Sequence, residues 1–488
     1  MFILCIMSHN NSDVAKPVKR KAHNVAPVED GPKSELDVFP LKVVVDPEKF
    51  ANGNPNKRCM FYKVSINDLI ANRKKLQGYD KLFSHEVKPI LKSTDQKQTG
   101  TCWMMAGLNI IRQKMIKDNK FPKNFELSKA HLYFWDKIEK CNWFLNMVCR
   151  TKETNFDLLE VQDLFLSVHY DGGTWSMFKN LVQKYGLMPK TVYGDDKACK
   201  NSCQLNSILN KQISMYGREL RAFEGDSFSL IPRMMNKLYS IISTVMGEPP
   251  KKFDYRYLNK TEELQTIKDI TPLDFRKKYA KIDLEDYVNV CSDDRIPYGS
   301  ILKLTGAGNV ISKDNLLYYN LSLDRLVNLV KTSIKDNESV FFTADVTKDF
   351  SHAEKLMDDE QYNYNILGLT FHKHRLNNRH ENLKFKTFNV CHAMVFRGVD
   401  IKEHVDKTVV KESTCTSVTR EKKTESIVKW KVENSWGDDV HYSMSHSWFL
   451  NNVYSAVILK SKLSAEELKI YEKDMDTANF VVKDSNFV

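Results

Sequence analysis

The sequence lacks any long hydrophobic run. Of its 488 residues, 42% are hydrophobic and 28% are charged, and no stretch approaches the ~18 consecutive apolar residues that a membrane-spanning helix needs. Residues Met1 to Met7 are apolar, but this stretch is too short for the core of a secretory signal and no basic residue precedes it. We therefore expect a globular protein with no signal peptide and no membrane partner, beginning at Met1 or Met7.

The sequence also lacks a dense, regular cysteine framework. Its ten cysteines are scattered between Cys5 and Cys415, unlike the closely placed cysteines of small disulfide-stabilised domains. Cys199 and Cys203 are too widely spaced for the common zinc knuckle, and no second pair or paired histidines follow. These absences predict a reducing compartment, for which we expect the cytoplasm. We also expect no metal or organic cofactor, because the thiol chemistry described below needs none.

The sequence has fewer acidic residues than basic ones. The chain has 62 Asp and Glu against 73 Lys and Arg, which gives a formal net charge of +11. Such a surface would suit a polyanion, but acids and bases are interspersed, and we find no helix-turn-helix, zinc-finger or stacked-aromatic RNA motif. Surface solvation explains most of the charge, so weak nucleic-acid binding is retained only as a secondary activity.

A candidate nucleophile stands at the start of an apolar periodic segment. After Cys102, the residues Met104, Leu108, Ile111 and Met115 recur at spacings of four, three and four, which predicts one face of a helix. Cys102 would lie in the first turn, where unpaired N–H groups and the helix dipole favour a thiolate. On this stretch alone, a small buried structural cysteine is an equally good interpretation.

The residues just before Cys102 fit a catalytic role. Gly100 allows a tight turn into the helix without a Cβ penalty. Gln96, six positions before the cysteine, can bring a side-chain amide back towards the sulfur. An amide donor there would stabilise the oxyanion formed when a thiolate attacks a carbonyl.

Two distant segments supply the other groups of a thiol mechanism. Residues 388–396 alternate as a buried strand, which places the imidazole of His392 in an apolar row where it needs a polar partner or a function. Residues 428–437 alternate again and carry Asn434 where the strand ends. A lone strand histidine is more often a satisfied core residue, but a Cys, a His and an Asn together predict a nucleophile, its base and the group that orients the base.

These segments resemble the motifs of papain-like cysteine peptidases. Gln96 to Trp103 resembles the cysteine motif, His392-Ala393 the histidine motif, and Asn434 to Gly437 the asparagine motif. Within that superfamily the chain resembles the bleomycin hydrolase family, also called aminopeptidase C, from about Phe61 to about Leu459. The segments that single out this family are Glu126–Ser128, Tyr133–Lys137, Asp171–Trp175, Lys184–Lys190, Ile270–Phe275 and Glu433–Gly437.

The resemblance implies an α+β, papain-like fold of two lobes. We predict an extension over residues 1–55, a helical lobe with Cys102 over 56–198, a β-rich lobe with the histidine and asparagine over 336–460, and a C-terminal arm over 461–488. More chain separates Cys102 from His392 than a minimal papain domain uses, so residues 199–335, which read as mostly helical and charged, are predicted to be an insertion. In the family, the corresponding material helps to build a barrel-shaped homohexamer.

The resemblance also implies a mechanism. His392 would hold the proton of Cys102, Asn434 would fix the imidazole, and Gln96 with the Cys102 N–H would stabilise the oxyanion. In secreted papain relatives a cysteine stands three positions before the nucleophile, whereas this chain has Thr99 there, which also favours a reducing compartment.

The substrate cleft follows from the resemblance in the same way. The glycine turn at Gly172 and Gly173 would border it, and Trp436 would shield the histidine and asparagine from water. In the family, the carboxylate of the C-terminal arm receives the substrate's free amine, a role that falls here to Val488. The ending departs from the family pattern, so the alternatives to a cysteine aminopeptidase are an ungated endopeptidase, or a basic nucleic-acid-binding oligomer with secondary or lost peptidase activity.

Overall fold

The computed structural model describes most of the chain from residue 64 onward. The described residues are 64–118, 121–166, 170–304, 308–311, 316–367, 378–413, 416–437, 441–474 and 480–482. The chain divides into two compact units, Met1–Leu69 and Ile70–Val488. No helix in the described part of the chain is long and apolar enough to cross a membrane. The predicted extension over residues 1–55 and the candidate gate Val488 lie outside the described residues.

The helices of the described chain lie mostly in its first half. In chain order they are α1 (Ile66–Ile70), α2 (Arg73–Gln77), α3 (Cys102–Asp118), α4 (Lys129–Arg150), α5 (Leu159–Leu166), α6 (Trp175–Tyr185), α7 (Lys197–Lys200), α8 (Cys203–Ala222), α9 (Ile231–Met246), α10 (Pro272–Phe275), α11 (Leu323–Lys335), α12 (Arg379–Lys384), α13 (His446–Asn452) and α14 (Ala465–Asp474). The helix predicted from the apolar spacing after Cys102 is α3, which begins at that cysteine.

Capping side chains explain where the helices beside α3 begin. Ser128 accepts a hydrogen bond from the N–H of His131 at 3.0 Å and so starts α4. Thr174 does the same for α6, accepting from the N–H of Met177 at 3.4 Å. These caps fix α4 and α6 against α3, where their apolar faces form one core.

A large mixed sheet occupies the second half. Its strands are β1 (His85–Glu86), β4 (Tyr287–Cys291), β5 (Ile301–Leu304), β6 (Leu316–Asn320), β7 (Val340–Ala344), β8 (Phe350–Ser351), β9 (Leu356–Met357), β10 (His392–Ser413), β11 (Thr416–Glu433), β12 (Tyr442–Ser445), β13 (Val453–Leu459) and β14 (Phe480–Val482), while β2 (Phe253–Leu258) and β3 (Leu264–Ile270) pair separately. Among the described residues the order is β14-β5-β6-β4-β13-β7-β10-β11-β12-β9-β8, with β1 paired to β10. The α+β class predicted from the sequence is confirmed.

Both faces of the central strands are buried. Val395 and its register partner Phe341 pack in the core shared with α3, α4 and α6. Their neighbours Phe396 and Phe342 belong to a second core with α11, and their rings stack at 3.9 Å. Alternate residues of one strand thus join two different cores, which anchors the strand that carries His392.

The predicted strand over residues 388–396 is too long at its start. β10 begins at His392, because its neighbour β7 ends at Ala344, directly opposite in the register. Phe388 is buried in the core shared with the helices, whereas Phe396 lies in the other one. The two residues therefore do not share a face, and His392 stands at the first position of the strand.

The prediction that residues 199–335 are mostly helical is correct for α8, α9 and α11, but between α9 and α11 only α10 and two short helical turns are helical. That part forms the β2–β3 hairpin and the strands β4, β5 and β6. These strands are short, and β4 pairs with β13, which is distant in the sequence, so no local pattern shows the pairing.

The charged residues 402–413 and 416–425 form two long antiparallel strands. β10 and β11 stay paired along them, with Val405 opposite Lys423 and Lys411 opposite Ser417. Ser464 and Glu467 form a capping box at the start of α14, with both reciprocal hydrogen bonds present at 2.7 and 3.2 Å.

Candidate active site

Cys102 is the first residue of α3. Its side chain is buried, and the preceding Thr101 carbonyl already accepts the hydrogen bond from the Met105 N–H at 3.0 Å. The thiol therefore lies beside the unpaired N–H groups of the first helical turn, as the spacing predicts. Burial acts to raise its pKa, but the charge and hydrogen bond of His392 and the N–H groups of Ala393 and Trp103 outweigh burial, so the pKa is lowered.

His392 contacts the thiol from the start of β10. Its Nε2 lies 2.8 Å from Oδ1 of Asn434, which leaves Nδ1 for the hydrogen bond to Cys102. Burial acts to lower the pKa of His392, but the charge and hydrogen bond of Cys102, with a smaller effect of Asn434, raise it overall. The lowered thiol pKa and raised imidazole pKa together favour a thiolate and imidazolium pair.

Trp436 packs against the imidazole of His392. Its ring centroid lies 5.1 Å from that of His392 at an interplanar angle of 33°, and it also contacts Phe350 and His352. Asn434 itself is 1% exposed. A covered hydrogen bond keeps the imidazole in one orientation, because water cannot replace the amide oxygen.

Gln96 lies on the loop before α3, with its side chain held at both ends. Its Nε2 donates to the Thr99 carbonyl at 2.7 Å, and its Oε1 accepts from the Ser435 hydroxyl at 2.6 Å. The main chains pair as well, because the Gln96 N–H donates to the Ser435 carbonyl at 2.8 Å. One hydrogen of the amide remains for an oxyanion. Ser435, the residue after Asn434, thus connects the asparagine to the loop before α3, a role that no sequence pattern indicated.

The glycine turn presses against the nucleophile helix. A Cβ added at Gly173 would come within 2.5 Å of the Trp103 ring, and one added at Gly100 within 2.9 Å of the Asp171 Cβ. The Trp103 Nε1 donates to the Asp171 carbonyl at 2.8 Å, and the Lys140 ammonium donates to the Gly172 carbonyl at 2.6 Å. Glycine is required because any side chain would separate the turn from the helix.

Asp171 is a second residue that the sequence argument did not single out. Its buried carboxylate accepts from the Lys137 ammonium at 2.6 Å, the Tyr133 hydroxyl at 3.0 Å and the Gly100 N–H at 3.1 Å. Burial would raise its pKa, but Lys137 and the other donors lower it far below the ordinary value. The only signal in the sequence is an acid directly before two glycines, which does not reveal a buried partner.

The fold and this geometry define a class of protein. A buried thiol at a helix start, bonded to an imidazole at a strand start that an asparagine orients, is the arrangement of a thiol-dependent acyl-transfer enzyme of the papain type.

Comparison with known proteins agrees. The model of the Peptidase C1-like family matches residues 48–414 and 408–481. Aminopeptidase C of Streptococcus thermophilus is 33% identical over 394 residues, which cover 78% of this chain and 83% of that protein. Bleomycin hydrolase of Mus musculus is 32% identical over 428 residues, covering 83% and 89%.

A solved structure is also similar. The crystal structure of PepW from Lactobacillus rhamnosis HN001 superposes with a TM-score of 0.80 at 28% identity, covering 90% of this chain and 97% of that one. The chain belongs to the Peptidase C1-like family and is a cysteine peptidase. The resemblance to the bleomycin hydrolase and aminopeptidase C family and the papain-like fold are thereby confirmed.

Replacing Gly173 with alanine should lower kcat/KM by roughly 10- to 100-fold, because the new Cβ forces the turn and Trp103 apart and so displaces the helix that starts at Cys102. Gly194→Ala is the matched control, since its Cβ would meet the Lys190 carbonyl at an ordinary 3.4 Å. Steady-state kinetics on both variants checks this, and equal activity of Gly173→Ala and Gly194→Ala would refute the close packing.

The profile of kcat/KM against pH should be bell-shaped, with an acid limb set by Cys102 and an alkaline limb set by His392. Asn434 helps to raise the pKa of His392, so imidazolium persists above its ordinary range and is lost as pH rises. Asn434→Ala should therefore shift the alkaline limb to lower pH. The control is Asn259→Ala, which replaces a buried asparagine in the loop between β2 and β3 and should leave both limbs unchanged. If the alkaline limb does not move in Asn434→Ala, the role of Asn434 in raising the pKa of His392 is contradicted.

Proposed function

We propose that this protein is a cysteine aminopeptidase that removes N-terminal residues from peptides, and that also accepts amides of the bleomycin type. The observation that carries the proposal is the buried contact between Cys102 and His392, in which the pKa values of both groups move towards the ion pair. The thiolate attacks the carbonyl of the scissile bond, and Asn434 keeps the imidazolium aimed at the departing amine.

The intermediate is stabilised where its charge develops. The Gln96 amide and the Cys102 N–H donate to the oxyanion. His392 gives its proton to the departing amine, which leaves a thioester on Cys102. The neutral imidazole then takes a proton from water, whose oxygen attacks the thioester and releases the N-terminal residue, and Cys102 leaves as the thiolate, which restores the thiolate and imidazolium pair.

The preference for a free amine rests on the relatives and on the chain terminus. Two of the similar proteins are named aminopeptidase C and bleomycin hydrolase. A carboxylate in the cleft, which we assign to Val488, would attract a protonated amine and exclude a longer chain. Gly172 and Gly173 form the wall that faces this part of the substrate.

The first experiment compares an aminoacyl fluorophore that has a free amine with its N-blocked twin. Wild type should cleave only the free-amine compound, Cys102→Ala should cleave neither, and the exposed Cys203→Ala should behave as wild type. Removal of residues 483–488 should admit the blocked compound. Equal cleavage of both compounds by wild type would identify an ungated endopeptidase, and turnover of neither would favour a binding protein.

The proposal includes a cytoplasmic homohexamer assembled through residues 199–335. The described cysteines are free, as in a reducing compartment. Ile208 and Met215, seven positions apart on one face of α8, are about half exposed, as are Phe228 before α9 and Val245 in α9. The exposed apolar pair on one face of α8 favours a protein partner. The charge of +11 supports weak nucleic-acid binding as a second candidate activity, marked by a steep fall in affinity with salt.

Met215→Glu should convert the hexamer into smaller species, because a carboxylate in an apolar interface is desolvated without a partner. Light scattering after size-exclusion chromatography measures the mass. Leu82→Glu is the matched control, since Leu82 is exposed but lies outside residues 199–335. A monomeric wild type, or a Met215→Glu hexamer as stable as wild type, would overturn this assembly.

A further inference from the structure

Lys129, in the first turn of α4, is a buried cation directed at the loop before the nucleophile. Its side chain is 2% exposed. The ammonium donates to the Gln96 carbonyl at 3.1 Å and to the Cys199 carbonyl at 2.6 Å. Burial is the main influence on this group and lowers its pKa, although Asp195 and Asp171 oppose it.

The partners of Lys129 differ from those of comparable lysines. Lys137, Lys140 and Lys429 are also buried, and each ammonium lies within 2.9 Å of a carboxylate oxygen. The described hydrogen bonds of Lys129 go instead to two main-chain carbonyls. Burying a charge against neutral acceptors is costly, so this lysine stabilises a particular backbone arrangement at the expense of charge pairing.

The second carbonyl belongs to a segment that holds the same loop. The Gln98 N–H donates to the Lys200 carbonyl at 2.9 Å, and the Asn201 side chain donates to the Gln98 Oε1 at 2.6 Å. Ser202 donates to the Asp171 carboxylate, which also binds the Gly100 N–H. The segment 196–202, which includes α7, therefore bonds the loop directly at Gln98. It reaches Gln96 through Lys129 and Gly100 through Asp171.

The atom that Lys129 binds lies on the oxyanion residue itself. The Gln96 carbonyl accepts from Lys129 and from the Thr99 hydroxyl at 2.6 Å, while the Gln96 side chain returns to the Thr99 carbonyl. Any shift of this carbonyl moves the Gln96 amide. An oxyanion donor acts only if it already points to where the charge will develop.

We infer that Lys129 is a positioning residue, which fixes the Gln96 amide for the oxyanion by tying the Gln96 carbonyl to the segment 196–202. This rests on the proposed function, because it requires Gln96 to act in the transition state. It also gives the start of residues 199–335 a direct mechanical connection to the active site.

The test compares Lys129→Met, which keeps the length of the side chain, with Lys429→Met and Gln96→Ala on the free-amine substrate. Lys129→Met should lower kcat by about tenfold with KM within about twofold, since an interaction made only in the transition state affects kcat alone. Lys429→Met removes a buried ammonium that binds Asp80 and should leave kcat unchanged. Asn201→Ala removes an exposed hydrogen bond from the segment 196–202 to Gln98. It should lower kcat by a smaller factor, and it replaces Lys129→Met in the test if Lys129→Met does not fold.

The outcomes separate the two proposals. An inactive wild type overturns the aminopeptidase function. An active wild type with a normal kcat in Gln96→Ala overturns the oxyanion role and the inference together. If Gln96→Ala has a low kcat but Lys129→Met has a normal kcat, only the inference about Lys129 is overturned. If Lys129→Met is unfolded, a normal kcat in Asn201→Ala overturns the inference instead. Equal losses in Lys129→Met and Lys429→Met would show a general cost of removing a buried charge and would also overturn it.

Discussion

The contact between Cys102 and His392 is the interaction on which the rest of the structure depends. Each group is buried, and burial alone would keep both neutral. Their mutual attraction reverses this, but only while the start of α3 and the start of β10 remain together. The fold therefore has to hold a helix end and a strand end, distant in the sequence, within hydrogen-bonding distance.

Two sets of contacts maintain this distance. On one side, the loop before α3 pairs with the segment after Asn434, where the Gln96 N–H meets the Ser435 carbonyl and the Gly437 N–H meets the Thr94 carbonyl. On the other side, buried lysines and Asp171 hold the same loop and the glycine turn. The nucleophile loop is thus fixed from the sheet and from the helices, and a change on either side is felt at the thiol.

The sequence errors have a common cause. The α3 helix and the position of Cys102 at its start were predicted correctly, because that pattern lies within one element. Of the strand predicted over residues 428–437, only residues 428–433 are strand, and they form the last part of β11. The strands β4 to β6 were missed and the start of β10 was misplaced, because pairing with β13 and β7 decides them. Asp171 and Lys129 escaped notice for a similar reason, since nothing in the local sequence of a charged residue shows that it is buried.

The sequence by itself determined the chemistry: a cysteine in the first turn of a helix, a histidine in an apolar strand, an asparagine at a strand end and a glutamine six residues before the cysteine. Residue types and short spacings are local quantities, so they survive without coordinates. Only the tertiary structure decided which ring nitrogen faces the thiol, that Ser435 and Lys129 hold Gln96, and that α8 presents apolar residues outward. These depend on contacts between residues far apart in the chain, where burial and direction are set by packing.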